Sequence, residues 1–292
     1  MRQQYFKTAW RDIVHSPRWF TRFLVLALVS LIPVFGWIVV SGYLLGWARD
    51  IAWGAHTPLP EHVFDNSDGM LYRRGLFSAV IVAVCAIVPY AVVAVGGIVS
   101  TGSAAGARLL FQGMYAGGAG FPADAVFSTW GKVTMLATLA AMFFAVLFGL
   151  VGSMRMSIYG RLSAGFQLGR CWAMIRRDLG GLMRILGMAV LAGIVAGIVL
   201  LALMGIIGFG VGTLAMAGYR IVDVLEPASI FVVLLAGMFL LFVFLAYVVA
   251  VQFVAMFYGA LIARALGYWT RQFDVPQWRG QDDPMPFEAA KG

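Results

Sequence analysis

Long uninterrupted apolar stretches constrain this chain more than any other feature of its sequence. Each has at least 19 residues and no Asp, Glu or Lys, and Arg184 is the only charged residue in any of them. About 20 apolar helical residues cross the ~30 Å hydrocarbon core of a bilayer, and in lipid only a helix or a closed barrel satisfies its own backbone polar groups. Because the stretches do not alternate apolar and polar residues, they predict helices. They are Phe23–Trp47, Leu76–Ser100, Val133–Val151, Leu182–Ala217 and Ser229–Tyr258.

The composition indicates the same class of protein. The chain is 62% hydrophobic and 12% charged, with a mean hydropathy of +0.89, whereas soluble domains carry about 25% charged residues. We therefore predict an all-α polytopic integral membrane protein with about five to six membrane-embedded segments.

The net charge of +8 predicts a partner of opposite charge. The arginines flank the apolar stretches and form no compact basic domain, so we expect anionic lipid headgroups, and other membrane proteins, as partners and not nucleic acid. The two cysteines, Cys85 and Cys171, lie in an apolar and an amphipathic stretch, where they are expected to serve as small apolar side chains.

Two amphipathic stretches, Tyr5–Trp19 and Phe166–Leu182, each lead into a long apolar stretch. Apolar side chains recur at helical spacing on one side of each, and arginines lie off that side. Such helices rest in the headgroup plane, with Trp at the boundary and Arg reaching phosphates. We expect anchors; the alternative is a docking surface for a cytoplasmic partner. The residues expected at the headgroups are Trp10, Trp172, Arg11, Arg18, Arg22, Arg170, Arg176, Arg177 and Arg184.

The two amphipathic stretches also suggest an internal repeat within a single membrane domain, residues 1–292. We predict repeat units 5–100 and 162–260, joined by 101–161, with a polar C-terminal tail at 265–292. Pseudo-symmetry of this kind is common in transporters but selects no function. The repeat depends on five pairs that share one offset of 162 residues: Phe6 and Leu168, Trp10 and Trp172, Ile13 and Ile175, Arg22 and Arg184, and Leu24 and Leu186.

The excess of arginine in two short segments predicts the orientation of the chain. The N-terminal segment and residues 152–184 are both rich in Arg, so both, with the N-terminus, are expected in the cytoplasm. An even number of crossings must then separate them, although only three apolar stretches do. The 25-residue stretch Phe23–Trp47 favours a re-entrant hairpin near Pro33–Gly36; the alternative is a Gly-rich fourth element in Thr101–Phe121. The stretch Leu182–Ala217 fits either one tilted helix or two short ones.

Groups that could carry chemistry are few. The apolar stretches contain no Asp, Glu or His, so they offer no proton or cation relay of the usual kind. A polar loop holds His56, His62, Asp65 and Asp68, but their spacing fits turns at a membrane surface and no zinc or calcium motif. We therefore predict no enzyme, no cofactor and no catalytic or metal-binding residue. Candidates for a buried polar site are Arg108, Asp124 and Lys132.

Several short motifs resemble a known family. They are Leu31-Ile32-Pro33 and Gly42-Tyr43 in the first apolar stretch, Leu59-Pro60-Glu61 in the polar loop, and Tyr159-Gly160-Arg161 and Ala164-Gly165-Phe166 further on.

These motifs are similar to those of a prokaryotic family of multi-pass membrane proteins catalogued as domain of unknown function 4013. The resemblance covers Tyr5–Val99 well and Met154–Tyr258 more loosely. It implies a helical membrane fold in a prokaryotic cytoplasmic membrane, and it brings no established activity or functional residue.

Two hypotheses about function follow. The first is a non-enzymatic scaffold or subunit that binds lipid or other membrane components, which fits the basic amphipathic stretches and the lack of catalytic groups. The alternative is a permease, channel or lipid-handling transporter for an apolar or amphipathic substrate.

Overall fold

A computed structural model describes residues 5–66, 68–101, 129–222, 229–283 and 285–286. Helices dominate this part of the chain, and it contains no strand. The fold is thus that of an all-α polytopic membrane protein, as predicted. The helices are α1 (Tyr5–Val14), α2 (Trp19–Ser30), α3 (Phe35–Ala52), α4 (Leu71–Thr101), α5 (Thr129–Tyr159), α6 (Leu162–Gly165), α7 (Leu168–Arg177), α8 (Leu179–Val222) and α9 (Ser229–Arg271), followed by a 3₁₀ turn at Val275–Gln277.

Two prolines end helices near the N-terminus. Pro17 lies in the turn between α1 and α2, where Arg18 takes a left-handed backbone conformation with φ 54°. Pro33 lies in the turn between α2 and α3, since proline cannot donate the backbone hydrogen bond that a continuous helix needs. The first apolar stretch therefore turns back on itself near Pro33, which is the favoured of the two predicted arrangements.

The α2–α3 turn requires a glycine. A Cβ atom at Gly36 would lie 2.0 Å from the carbonyl oxygen of Val29, so any larger residue would force the two helices apart. The stretch Leu182–Ala217, for which one or two helices were predicted, is part of a single helix, because α8 runs from Leu179 to Val222 without a break.

Four helices in the described part of the chain are long and apolar enough to cross a bilayer. Their middles are exposed and hydrophobic; Phe242, for example, is 70% exposed. A large apolar surface of this kind is expected where helices face lipid. The four segments are Leu71–Val99, Thr129–Tyr159, Leu179–Thr213 and Leu234–Arg271.

The chain divides into two compact units. The first comprises Met1–Leu71 and Gly180–Gln272, and the second comprises Tyr72–Leu179 and Phe273–Gly292. Each unit therefore takes segments from both halves of the sequence.

The core of the first unit forms where α1, α2 and α3 pack against α9. Aromatic side chains fill this contact: the ring of Trp10 meets the ring of Phe257 edge-on at 5.2 Å, and the rings of Phe20 and Phe253 are 5.0 Å apart. Edge-to-face aromatic pairs at this distance contribute about 0.5–1.5 kcal/mol beyond the area they bury. The N-terminal amphipathic helix is therefore held by side chains as well as by its chain connection to α2.

The second unit is built around α5, against which α6 and α7 pack. The approach of α5 to α6 is close, since a Cβ atom at Gly152 would lie 2.6 Å from the carbonyl oxygen of Gly165. On α7, the ring of Trp172 stacks on the ring of Phe148 of α5, with 6.2 Å between the ring centroids. The second amphipathic helix is thus also held to a long apolar helix by its tryptophan.

Candidate lipid-headgroup surface and buried arginine centres

An open groove of about 390 Å³ runs along α1. Its basic side chains, Lys7 and Arg11, are exposed, and Trp10 beside them is 52% exposed. The groove thus offers cationic donors and an aromatic surface side by side, which is the arrangement that interfacial helices present to phospholipids. Its lining residues are Lys7, Thr8, Trp10, Arg11, Val14 and His15.

Helix α7 carries a comparable surface. Trp172 is partly exposed, and the guanidinium carbon of Arg176 lies 6.0 Å from the centroid of its ring. Arg176 and Arg177 are exposed at the C-terminal end of the helix, where positive charge also interacts favourably with the helix dipole. Arg170 differs, because its Nη2 donates a hydrogen bond to the carbonyl oxygen of Asp282 at 3.1 Å.

The other predicted headgroup residues have different environments. Arg18 and Arg184 are exposed. Arg22 is buried, and its guanidinium donates hydrogen bonds to the carbonyl oxygen of Leu59 and, at 3.4 Å, to Oε1 of Glu61. The expectation that Arg22 reaches the headgroups is therefore corrected: the side chain ties α2 to the polar loop, because the loop offers a buried carbonyl within its reach.

A buried arginine lies at the centre of the first unit. Arg264 is 2% exposed, and its Nε lies 3.0 Å from Oδ2 of Asp12, which also accepts a hydrogen bond from the Tyr268 hydroxyl at 2.5 Å. The guanidinium carbon sits 4.1 Å from the ring centroid of Trp47 and Nη2 donates to the carbonyl oxygen of Thr57 at 3.0 Å. A buried charge is tolerated only when it is paired and hydrogen-bonded, and here α1, α3, the polar loop and α9 all supply partners.

A second buried arginine, Arg155, lies at the centre of the second unit and is fully buried. Its Nη2 donates to Oε1 of Gln167 at 2.6 Å, and its Nε donates to the carbonyl oxygen of Ala164 at 3.3 Å. Its guanidinium carbon lies 5.3 Å from the ring centroid of Tyr159 and 5.7 Å from that of Trp278. The C-terminal tail therefore takes part in this centre through Trp278.

The tail makes further polar contacts with the same helices. The Tyr159 hydroxyl donates to the carbonyl oxygen of Gly280 at 3.3 Å, and Nε2 of Gln167 donates to Oδ1 of Asp282 at 2.6 Å. The segment expected as a polar tail is thus folded onto α5, α6 and α7 up to Met285, which is buried.

Cys171 faces the interior of the second unit from α7. Burial raises the pKa of its thiol to about 11, although the positive charge of Arg155 acts in the opposite direction. A nucleophilic cysteine needs a lowered pKa and access to solvent, so Cys171 is an inert structural side chain, as the sequence indicates.

The polar loop uses its charged groups for contacts within the protein. Nη1 of Arg49 lies 3.1 Å from Oδ2 of Asp68, and Nη1 of Arg271 lies 2.7 Å from Nε2 of His56. Among the described residues, no three of His, Cys, Asp and Glu lie close enough together to hold a metal ion. Of the three candidates for a buried polar site, Lys132 is exposed near the start of α5, and Arg108 and Asp124 lie outside the described residues.

The family comparison agrees with the resemblance in the sequence. The model of a family described as protein of unknown function (DUF4013) matches residues 25–205, which is more than half of the chain. Searches of curated proteins and of solved structures gave no match.

Proposed function

Since the chain belongs to DUF4013, a family of proteins of unknown function, we propose a function from its own residues. It is a non-enzymatic scaffold or subunit of the prokaryotic cytoplasmic membrane that binds anionic lipid headgroups. The observation that supports this most directly is the groove on α1, where Lys7 and Arg11 lie beside the half-exposed ring of Trp10.

The groove matches the two chemical parts of a phospholipid at the membrane boundary. The ammonium and guanidinium groups of Lys7 and Arg11 can each donate hydrogen bonds to a phosphate, while Trp10 and Val14 offer apolar surface to the first carbons of the acyl chains. Attraction of one basic residue to an anionic membrane surface contributes about 1 kcal/mol. Two such residues together with the tryptophan favour an anionic over a zwitterionic headgroup.

The proposed topology brings α1 and α7 to the same, cytoplasmic, surface. Helix α2 has 12 residues and is about 18 Å long, so it is too short to cross a ~30 Å core. If the α2–α3 hairpin enters and leaves by one surface, the spans that the structure describes between the two amphipathic helices are α4 and α5. This even number keeps both amphipathic helices on the side predicted from their arginines.

The distribution of polar and apolar residues along the α2–α3 hairpin fits this topology. At its base, Arg22 of α2 and the Tyr43 hydroxyl of α3 donate to the neighbouring carbonyl oxygens of Leu59 and Pro60 in the polar loop. At its tip, Val34 is 74% exposed and Trp37 is also exposed. An apolar tip with a polar base fits insertion into one leaflet of the bilayer.

Native mass spectrometry of the purified full-length protein tests headgroup binding. We expect phosphatidylglycerol to stay bound in preference to phosphatidylcholine, and the preference to fall at least fivefold in the variant Lys7→Glu/Arg11→Glu. The matched control is Arg161→Glu/Arg279→Glu, which changes the net charge equally at two exposed arginines outside the groove. An unchanged preference in the first variant, or an equal loss in the control, would contradict the proposal.

A further inference from the structure

We infer that the chain arose by duplication of one membrane unit and that the two copies have exchanged their first helices. In the folded protein, α1 of the first copy packs on α9 of the second, and α7 of the second copy packs on α5 of the first. This inference is independent of lipid binding, and it changes the repeat boundaries expected from the amphipathic stretches alone.

A second sequence match, on the long helices α5 and α9, carries the inference. Both helices contain the pattern Phe, Phe, Arg, Tyr, with the same intervals of four, seven and four residues, and every pair is 109 residues apart (264 − 155 for the arginines). The four pairs are Phe144 and Phe253, Phe148 and Phe257, Arg155 and Arg264, and Tyr159 and Tyr268.

The matched residues of these helices make matched contacts with the amphipathic helices. Trp10 and Trp172, which correspond at the offset of 162, each pack against the second phenylalanine of the pattern: Trp10 against Phe257 and Trp172 against Phe148. In each unit, a residue paired by the offset of 162 therefore contacts a residue paired by the offset of 109. Chance similarity between apolar helices does not predict this agreement.

The two buried arginines also have matched environments. Arg155 and Arg264 lie 5.3 and 5.6 Å from the ring centroid of the tyrosine four residues later. Each guanidinium also faces a tryptophan, Trp278 or Trp47.

The two tryptophans do not correspond in the chain, since one follows the pattern helix and the other precedes it by more than 200 residues. In the second unit, the C-terminal tail therefore supplies the tryptophan that faces the arginine, as α3 does in the first unit.

The exchange explains why each compact unit is discontinuous in sequence. The first copy begins at α1 and ends with α5, and the second begins at α7 and ends with α9. Each unit contains the beginning of one copy and the end of the other. The copies are therefore Tyr5–Tyr159 and Gln167–Tyr268, and the first has the longer connection between its amphipathic helix and the helix that carries the Phe, Phe, Arg, Tyr pattern.

One departure from the repeat provides a test. At the offset of 162, the position of Asp12 is occupied by Met174, which is fully buried. Gln167, the residue that precedes α7, accepts a hydrogen bond from Arg155 through its Oε1 at 2.6 Å, so the N-terminal end of α7 lies next to this guanidinium. If the units are equivalent, a carboxylate at position 174 will meet the guanidinium of Arg155 as Asp12 meets that of Arg264.

The experiment measures thermal unfolding of the purified full-length protein with Met174→Asp and with the control Ile175→Asp, which places a carboxylate at the adjacent buried position. We expect Ile175→Asp to lower Tm by about 5 °C or more and Met174→Asp to lower it clearly less. Losses of about 5 °C or more in both variants would overturn the inference.

A second measurement decides the case in which both variants are tolerated. Arg155→Met is introduced into the parent and into Met174→Asp. The inference requires a larger loss of Tm in the Met174→Asp background, because the new carboxylate would then lose its partner. The same loss in both backgrounds would overturn it.

Discussion

The guanidinium Nε of Arg264 lies 3.0 Å from Oδ2 of Asp12, although 252 residues separate them in the chain. This ion pair joins the first amphipathic helix to the end of the last long helix. Both partners are largely shielded from solvent, with side-chain exposures of 2% and 22%. The ion pair therefore fixes the position of α1 against α9, which the exposed arginines of the protein surface do not do.

Removal of the carboxylate is expected to destabilise the first unit strongly. Asp12→Ala leaves the buried charge of Arg264 without its counterion, which costs about 3 kcal/mol or more. The control Tyr268→Phe deletes one hydrogen bond to the same carboxylate and should cost about 1–2 kcal/mol. Denaturant unfolding of the purified variants measures both. Equal stabilities of Asp12→Ala and the parent would show that the ion pair contributes little.

Local features of the fold were predictable because their causes are local. Pro17 and Pro33 end helices by removing a backbone donor, and the spacing of apolar residues around Trp10 and Trp172 indicates amphipathic helices. The turn of the first apolar stretch near Pro33 and the family membership were both predicted and are confirmed, whereas the re-entrant topology stays a prediction.

The buried arginine centres were not predictable in the same way. Arg155 and Arg264 lie near the ends of long helices with no charged neighbour in the adjacent sequence, and the spacing does not indicate their partners; for Arg264 these are the distant Asp12 and Thr57. Arg22 was assigned to the headgroups for the same reason, since its carbonyl partner is 37 residues away. The repeated Phe, Phe, Arg, Tyr spacing on α5 and α9 was the available signal, and it becomes meaningful once the contacts are known.

The thiol of Cys171 should react slowly at neutral pH. With a pKa of about 11, its thiolate fraction at pH 7.5 is at least about a hundredfold below that of an ordinary cysteine. In a Cys85→Ala background, labelling by a soluble disulfide reagent should accelerate about tenfold per pH unit up to pH 11 and become fast after denaturation. Fast labelling of the folded protein at pH 7.5 would contradict the buried position.

The same pKa predicts a pH dependence of stability. Between about pH 9, the ordinary value, and about pH 11, the unfolded thiol has lost its proton and the folded thiol has kept it. The contribution of the buried Cys171 thiol to the free energy of unfolding is therefore complete below pH 9 and declines as the pH rises towards 11. The difference in Tm between the parent and Cys171→Ala isolates this effect from other titrating groups. A difference that does not change over this range would count against it.

The hairpin topology predicts where single cysteines can be labelled in intact cells. In a Cys85→Ala/Cys171→Ala background, Val34→Cys at the hairpin tip should resist an impermeant thiol reagent from both sides of the membrane, because it lies within one leaflet. Glu61→Cys, in the exposed polar loop, should react only when the cytoplasmic face is opened. Labelling of Val34→Cys from outside the cell would mean that the hairpin crosses the bilayer.

The C-terminal tail should contribute to the stability of the second unit. The indole of Trp278 is buried, stacks on Tyr159 at 5.8 Å and donates a hydrogen bond from Nε1 to the carbonyl oxygen of Phe273 at 2.9 Å. Trp278→Ala removes this packing and one face of the Arg155 centre, at a cost of about 3–5 kcal/mol. The neighbouring Arg279→Ala is the matched control, because Arg279 is exposed.

Limited proteolysis measures this difference directly. If Trp278 holds the tail on α5, Trp278→Ala should be cleaved within the tail at least tenfold faster than the parent, and Arg279→Ala at the parental rate. The loss of Tm should follow the same order, since release of the tail exposes the guanidinium of Arg155 and uncovers Met285. Parental cleavage rates and Tm in Trp278→Ala would mean that the tail does not complete the second arginine centre.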